Sequence, residues 1–327
     1  MRQRPFGRTP FTASEIGFGA WQIGGSWGAV GEAEGRAALE AALDAGVTFV
    51  DTADVYGDGR SERIVGAVLA GREARPMVAT KAGRRLDPHV AEGYTAANLC
   101  AFVERSLGNL GVERLDLAQL HCPPWEVYYR PEVFGALDDL VAAGKIAAYG
   151  VSVEKVEEGL KAIEFPGVAS VQIIYNLFRQ RPSELFLREA ARRGVAVIAR
   201  VPLASGLLSG KIGRDTAFAA DDHRAFNRQG EAFDVGETFA GVPFETGLAA
   251  VEEIRRLVPE GASMAAFALR WILMEEAVTV VIPGARDAAQ ARGNAAAAQM
   301  AALSGDVMAA AREIYGRLIA PHVHQRW

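Results

Sequence analysis

Four residues define the chemistry this chain can attempt: Asp51, Tyr56, Lys81 and His121, set in FVDTADVY, MVATK and LAQLH. Apolar, β-prone runs lead into Asp51, Lys81 and His121, which places them at predicted strand ends. A tyrosine is a weak acid at neutral pH, its reference pKa lying near 10. A neighbouring ammonium favours the phenolate and lowers that value, and a carboxylate keeps the lysine charged and aimed. A histidine beside them donates a hydrogen bond to a carbonyl oxygen or shares in proton transfer. Together the four suit protonation of a carbonyl oxygen during hydride transfer to its carbon, which calls for a reduced nicotinamide or a similar donor. Each has a structural reading when taken alone: a turn cap for Asp51, a solvated strand end for Lys81, a satisfied core histidine for His121. Four compatible residues at three successive strand ends favour the chemical reading.

No motif joins the four, so the fold must bring them together. Eight apolar strand candidates follow one another: EIGFGA, VTFVDT, PMVATK, RLDLAQLH, IAAYGVS, VASVQII, VAVIARV and AVTVVIP. Between them lie stretches with apolar residues three and four apart, among them EAEGRAALEAALDAG, TAANLCAFVERSLGNLG, PEVFGALDDLVAAGK, VEKVEEGLKAIEF and SELFLREAARRG. Strand and helix alternating eight times predict an α/β fold, a (β/α)8 TIM barrel in one domain over residues 1–327. In such a barrel the C-terminal strand ends surround one shared pocket. Gly46, Gly111, Gly144 and Gly194 stand where left-handed helix caps are wanted, and Pro131 and Pro182 where a first helical turn tolerates proline. Residues 1–15 are expected to form an N-terminal hairpin across the barrel bottom, turning at FGRTPF. RDAAQARGNAAAAQMAAL and DVMAAAREIYGRLI predict two extra C-terminal helices, with HVHQRW left as a tail. From Pro202 to about Pro243 no period is sustained, and the position favours a loop folding over a ligand. Phe226, Phe233 and Phe239 there fit either a lid or a buried loop cluster.

Composition narrows the function. A formal charge of -5, with no Lys/Arg cluster beyond short pairs, argues against nucleic acid and for a small-molecule partner. Neither a signal-peptide core nor a stretch of membrane-spanning length is present, so no membrane partner and a cytoplasmic location are expected. Cys100 and Cys122 are too few for a disulfide framework, lack zinc spacing and are read as packed thiols. No metal is expected, because His89, His223, His322 and His324 avoid the strand ends. GLLSGK has three residues between its glycines and Ile212 after its lysine, so it is no ATP loop. GFGAWQ lacks the third glycine and the acidic partner of a Rossmann fingerprint.

On these residues the chain resembles the aldo-keto reductases over nearly its whole length. GFGAWQIGG, DTADVYGDGRSERIVG, TKAG, LAQLH, GVS, VQIIYN, PLASGLLSGK and IPGARDAAQ occur in the family's order. The resemblance implies a barrel without a Rossmann domain and NADPH extended across its mouth. It makes Tyr56 the general acid, tuned by Lys81 and Asp51, with His121 orienting the carbonyl. It places Ala20, Trp21 and Asp51 beside the cofactor and Ser152 and Gln172 at the nicotinamide carboxamide. Val153 replaces the usual asparagine there. Arg200 stands where an aromatic residue often stacks on the nicotinamide, which either changes how the ring is held or brings a positive charge near substrate. Pro202, Leu203, Ser205, Gly206, Leu207, Ser209 and Lys211 resemble the pyrophosphate loop, where backbone N–H groups and a lysine meet anionic oxygens. Gly284, Ala285, Arg286, Gln290 and Asn294 fall on the adenosine segment, with Gly293 in place of a frequent glutamate. Arg286 would pair with a 2'-phosphate, so NADP(H) is preferred over NAD(H). Trp21, Trp27, Trp125 and Tyr128 are candidate substrate walls above Tyr56 and His121.

The expected activity is NADPH-dependent interconversion of an aldehyde or ketone and its alcohol. The alternative is a redox-sensing, nicotinamide-binding regulatory subunit resembling the potassium-channel β-subunits, disfavoured by the short stretch before the first strand. A non-redox barrel such as a lyase would have no use for the pyrophosphate loop. Substrate, direction and oligomeric state are not legible in one sequence.

Overall fold

The computed structural model describes residues 1–25, 27 and 30–327. An antiparallel hairpin, β1 (Gln3–Pro5) and β2 (Thr12–Ser14), precedes eight strands. These are β3 (Phe18–Gly19), β4 (Phe49–Asp51), β5 (Met77–Ala82), β6 (Leu117–His121), β7 (Tyr149–Ser152), β8 (Val168–Ile174), β9 (Ala196–Arg200) and β10 (Val280–Val281). Each pairs in parallel with the next. Parallel bridges Ile16 to Val281 and Gly19 to Gly284 join the first strand to the last and close the predicted barrel. The strands are apolar runs because both faces are covered, as at β5, where all six residues are buried.

Two cores follow from that double coverage. Inside the barrel, Phe49, Met77, Ala79, Leu117, Ile198 and Val280 pack with Phe6 and Ala13 of the hairpin, which therefore plugs the bottom as predicted. Outside it, strand residues such as Val50, Val78, Val151 and Val197 meet the helices. The predicted crossover helices form at Glu32–Asp44, Ala96–Leu110, Pro131–Ala142, Val156–Ala162 and Phe186–Arg192, joined by Arg60–Leu69. Val156–Ala162 is shorter than its periodic stretch because the Glu158 carboxylate accepts from the backbone N–H of Glu154 and Lys155, which fixes its start. The four predicted glycine caps all have positive φ.

Two C-terminal elements depart from expectation. Helices Ala288–Ala296 and Gly305–Ile314 form, but the second continues through Tyr315–Ile319 and Ala320–Val323. HVHQRW is therefore no loose tail: Val323 is 1% and Trp327 3% exposed. The indole has apolar area to bury and a donor to satisfy, and the fold supplies both. Among the described residues, no helix is long and apolar enough to cross a membrane.

In the turn after β4, Asp54 is fully buried and neither carboxylate oxygen has a hydrogen-bond partner among the described residues. Burial, with Glu62 nearby, lifts its carboxyl from 3.8 to about 7, against opposition from Arg85 and Arg105. A raised folded pKa contributes stability that is complete below the unfolded value and lost as pH rises through the folded one. Asp54→Asn should therefore flatten the fall of unfolding free energy between about pH 4 and 7. Urea titrations across that range, by the same slope for both proteins, would refute the assignment.

Candidate active site

Register brings the strand-end residues into one ring. Lys81 lies opposite Gln119, His121 opposite Ser152, and Ser152 opposite Gln172. Tyr56 reaches the same place from the turn after β4. A Cβ on Gly57, whose φ is +61, would lie 2.0 Å from the Gly24 carbonyl oxygen, so glycine lets the loops after β3 and β4 touch beneath Tyr56.

The Lys81 ammonium spends all three donors: on Asp51 Oδ2 at 2.6 Å, the Thr52 carbonyl at 2.9 Å and the Tyr56 hydroxyl at 3.1 Å. The other Asp51 oxygen accepts from Gln172 Nε2 at 2.7 Å and Gln119 Nε2 at 3.2 Å. Gln119 is a site residue that sequence reasoning missed, although LAQLH placed a glutamine among apolar neighbours. His121 meets the Tyr56 ring edge-on, centroids 5.9 Å apart, and its Nδ1 is buried without a hydrogen-bond partner among the described residues.

The electrostatics correct one expectation. Burial raises the Tyr56 pKa above the ordinary value and outweighs the lowering by Lys81, so the phenol is protonated at neutral pH. Burial also disfavours the Lys81 ammonium, but Asp51 and Tyr56 offset it and the net direction is upward. Burial, reinforced by Arg84, Lys81 and Arg200, pushes His121 well below its usual range and leaves it neutral.

Above this set opens a cavity of about 680 Å³. Trp21, Asp51, Tyr56, His121, Ser152, Gln172 and Arg200 line it near the strand ends. Pro202, Leu203, Ser205, Gly206, Ser209 and Lys211 continue the wall, and Gly284, Arg286, Gln290 and Asn294 complete the far side. Among the described residues, the side chains of Lys211 and Arg286 carry no ion pair. Val201, Ala204 and Ser205 hold φ between 46° and 53°, and Gly206 follows at 99°, a strained run at the cavity edge.

Five predicted contact residues do not line this cavity: Ala20, Leu207, Trp125, Tyr128 and Ala285, of which Tyr128 and Ala285 are wholly buried. Ala20 is fully buried, its N–H donating to the Asp51 carbonyl at 2.8 Å, so it braces that strand end. Leu207 points under its loop, where a Cβ on Gly247 would touch it at 2.8 Å. Trp125 sits in the turn Trp125–Tyr129, which buries Val127 and Tyr128 and leaves Trp125 42% exposed against Tyr129. Trp21 instead stacks on Tyr56, at 5.9 Å and 17°, and meets Trp27, His223 and Phe233. The long-loop phenylalanines divide: Phe239 is buried, Phe226 is 37% exposed, and Phe233 joins this aromatic roof.

An ion-pair quartet also escaped sequence reading. Arg84 contacts Glu154 at 3.1 Å and Glu237 at 2.7 Å, while Arg200 contacts Glu154 at 2.8 Å and Glu237 at 3.4 Å. Arg200, which stands where the resemblance often sets an aromatic residue, is thus charge-paired with two carboxylates. Burial lifts Glu154 to about 7, against Arg200, whereas Arg84 and Arg200 overcome burial at Glu237 and hold it ionised. Cys122, Glu154 and Glu237 bring donor atoms within 4.8 Å, but the guanidinium groups occupy the place of a cation.

Similarity to known proteins agrees with this geometry. The chain is 33% identical over 290 residues to the aldo-keto reductase YhdN of Bacillus subtilis, covering 86% of this chain and 84% of that protein. It superposes on the glycerol dehydrogenase AKR11B4 from Gluconobacter oxydans with a TM-score of 0.77 at 33% identity, covering 97% and 95% of the two chains. An aldo/keto reductase from Klebsiella pneumoniae, solved with NADP and acetate, matches with a TM-score of 0.68 at 25% identity over 93% and 92%. With the aldo/keto reductase family model matching residues 15–316, the chain belongs to the aldo/keto reductase family of oxidoreductases.

Proposed function

We propose that the chain interconverts an aldehyde or ketone and its alcohol, with NADP(H) held in the 680 Å³ cavity and Tyr56 as the general acid. The observation that carries the reading is the saturated Lys81 ammonium. It has no acceptor, so the Tyr56 oxygen accepts from it and the phenol's own proton is free to point elsewhere. A carbonyl oxygen in the cavity receives that proton, and Lys81 faces the phenolate left behind. Neutral His121 donates its single N–H to the same oxygen. Asp51 keeps Lys81 charged, and the two glutamine amides keep Asp51 in place. In the opposite direction Tyr56 takes the alcohol proton.

The wall suits a dinucleotide phosphate. Lys211 and Arg286 are cations without ion-pair partners among the described residues, set on either side of the cavity and matched to anionic oxygens. Ser152 and Gln172 offer polar groups near Tyr56, and Gln290 and Asn294 do so near Arg286. When bound, NADPH supplies the hydride.

A steady-state screen with NADPH and NADH over aliphatic aldehydes, aromatic aldehydes, dicarbonyls and sugars tests the activity. Nucleotide binding without turnover on any of them would contradict it. Arg286→Ala should raise the KM for NADPH roughly tenfold to a hundredfold, the loss of a charged hydrogen bond, and barely change that for NADH. Equal losses with both nucleotides would remove Arg286 from the 2'-phosphate.

A further inference from the structure

The long loop between β9 and the helix Phe244–Arg255 is pinned from two sides. On its inner side Glu237 joins Arg84 and Arg200. Ser205, on the cavity wall, donates to the Glu237 carbonyl at 3.0 Å and accepts from the Phe239 N–H at 3.1 Å. On the other side lies Trp327. Its Nε1 donates to Asp234 Oδ1 at 2.9 Å, and its carbonyl accepts from Arg181 Nη1 at 2.7 Å. The guanidinium of Arg179 lies 4.2 Å from the Trp327 ring centroid. Arg179 also reaches the carbonyls of Ala240 and Glu154, so the indole, the loop and the quartet share one arginine.

Between the two anchors the backbone is strained. Phe239, Ala240 and Gly241 have φ of 52°, 59° and 78°, a left-handed run that two residues bearing a Cβ rarely adopt. Such a run persists only where its surroundings over-determine it. A Cβ on Gly241 would lie 2.5 Å from the Trp327 ring, and one on Gly236 2.9 Å from it, so the indole fits flush against both glycines.

We propose that Trp327 is a positioning residue for the nucleotide site: it holds the 234–241 segment in its strained form, and thereby sets Glu237 and Ser205 in the cavity wall. The role rests on the NADP(H) reading given above. Trp327 does not touch the cavity, so its effect passes through the loop. Without the indole the turn relaxes, Glu237 leaves Arg84 and Arg200, and the wall at Ser205 loosens. Tyr56 and Lys81 keep their own contacts, so affinity changes and chemistry does not.

The test uses the full chain with Trp327→Ala, Trp327→Phe and Asp234→Ala. NADPH affinity is read by calorimetry, kinetics by steady state and folding by thermal melting. Trp327→Ala is expected to weaken NADPH binding and raise its KM about tenfold, with kcat at saturation within about twofold. Trp327→Phe, which keeps a ring beside Arg179, should recover most of the loss. Asp234→Ala, which removes the indole's acceptor together with the cap on the Gly236 N–H, should show a loss of the same kind, and it carries the test if Trp327→Ala does not fold. Wild-type affinity in folded Trp327→Ala, or in Asp234→Ala alone, would overturn the positioning role. Failure of the unmodified chain to bind NADPH or NADH would overturn the cofactor reading as well, and so is distinguishable.

Discussion

Tyr56→Phe should lower kcat by roughly 10²–10⁴, the range for loss of a positioned proton donor, while the Kd for NADPH stays within about twofold. The substitution removes one oxygen and keeps the ring that stacks on Trp21 and meets His121. Lys81 loses one of its three acceptors but keeps Asp51 and the Thr52 carbonyl, so the ion pair survives. Turnover and nucleotide affinity are therefore expected to separate cleanly. Stopped-flow reduction under single-turnover conditions, with binding measured on the same preparation, checks both. A variant with unchanged turnover would remove Tyr56 from the proton-transfer step.

Lys81→Met should be more damaging to the fold. Lys81 and Asp51 are 1% and 3% exposed, and the ammonium is the only cation on that carboxylate among the described residues. Removing one partner of a buried pair leaves the other charge uncompensated, at a cost of about 3–5 kcal/mol. The two glutamine amides on Asp51 reduce that cost without cancelling it. Turnover should fall as well, since no cation remains to face the Tyr56 phenolate. Adding Asp51→Asn to Lys81→Met should restore much of the stability and none of the activity, a non-additivity expected of two residues in contact. Urea unfolding of the two single variants and the double variant measures it. A Lys81→Met protein as stable as the parent would contradict the buried ion pair.

Much of this architecture was legible in the sequence, because it depends on local pattern. Apolar runs covered on both faces reveal themselves as strands, and Gly46, Gly111, Gly144 and Gly194 mark helix ends through a backbone conformation that glycine adopts freely. Asp51, Lys81 and His121 could be placed because each ends such a run. What escaped depends on contacts between distant segments. Glu237 lies in a loop without periodicity, 153 residues from the Arg84 it meets, and nothing local marks the pair. Trp327 looked like part of a tail because the indole's partners, Asp234 and Arg179, lie far back in the chain. The direction of the Tyr56 pKa is hidden for the same reason: the lysine is visible in the sequence, whereas the burial that outweighs it is a property of the folded site. The position of Trp125 after a strand points to the substrate wall, but the turn it begins faces its ring outward.

The measurement that bears most directly on the central claim is the stoichiometry of turnover with the best carbonyl found in the screen. Loss of reduced-nicotinamide absorbance is followed against alcohol formed, for the unmodified chain and for Tyr56→Phe. The account predicts one alcohol per NADPH consumed by the parent, and the same ratio at a rate lower by orders of magnitude in the variant. NADPH consumed without matching alcohol, or equal rates in the two proteins, would contradict it.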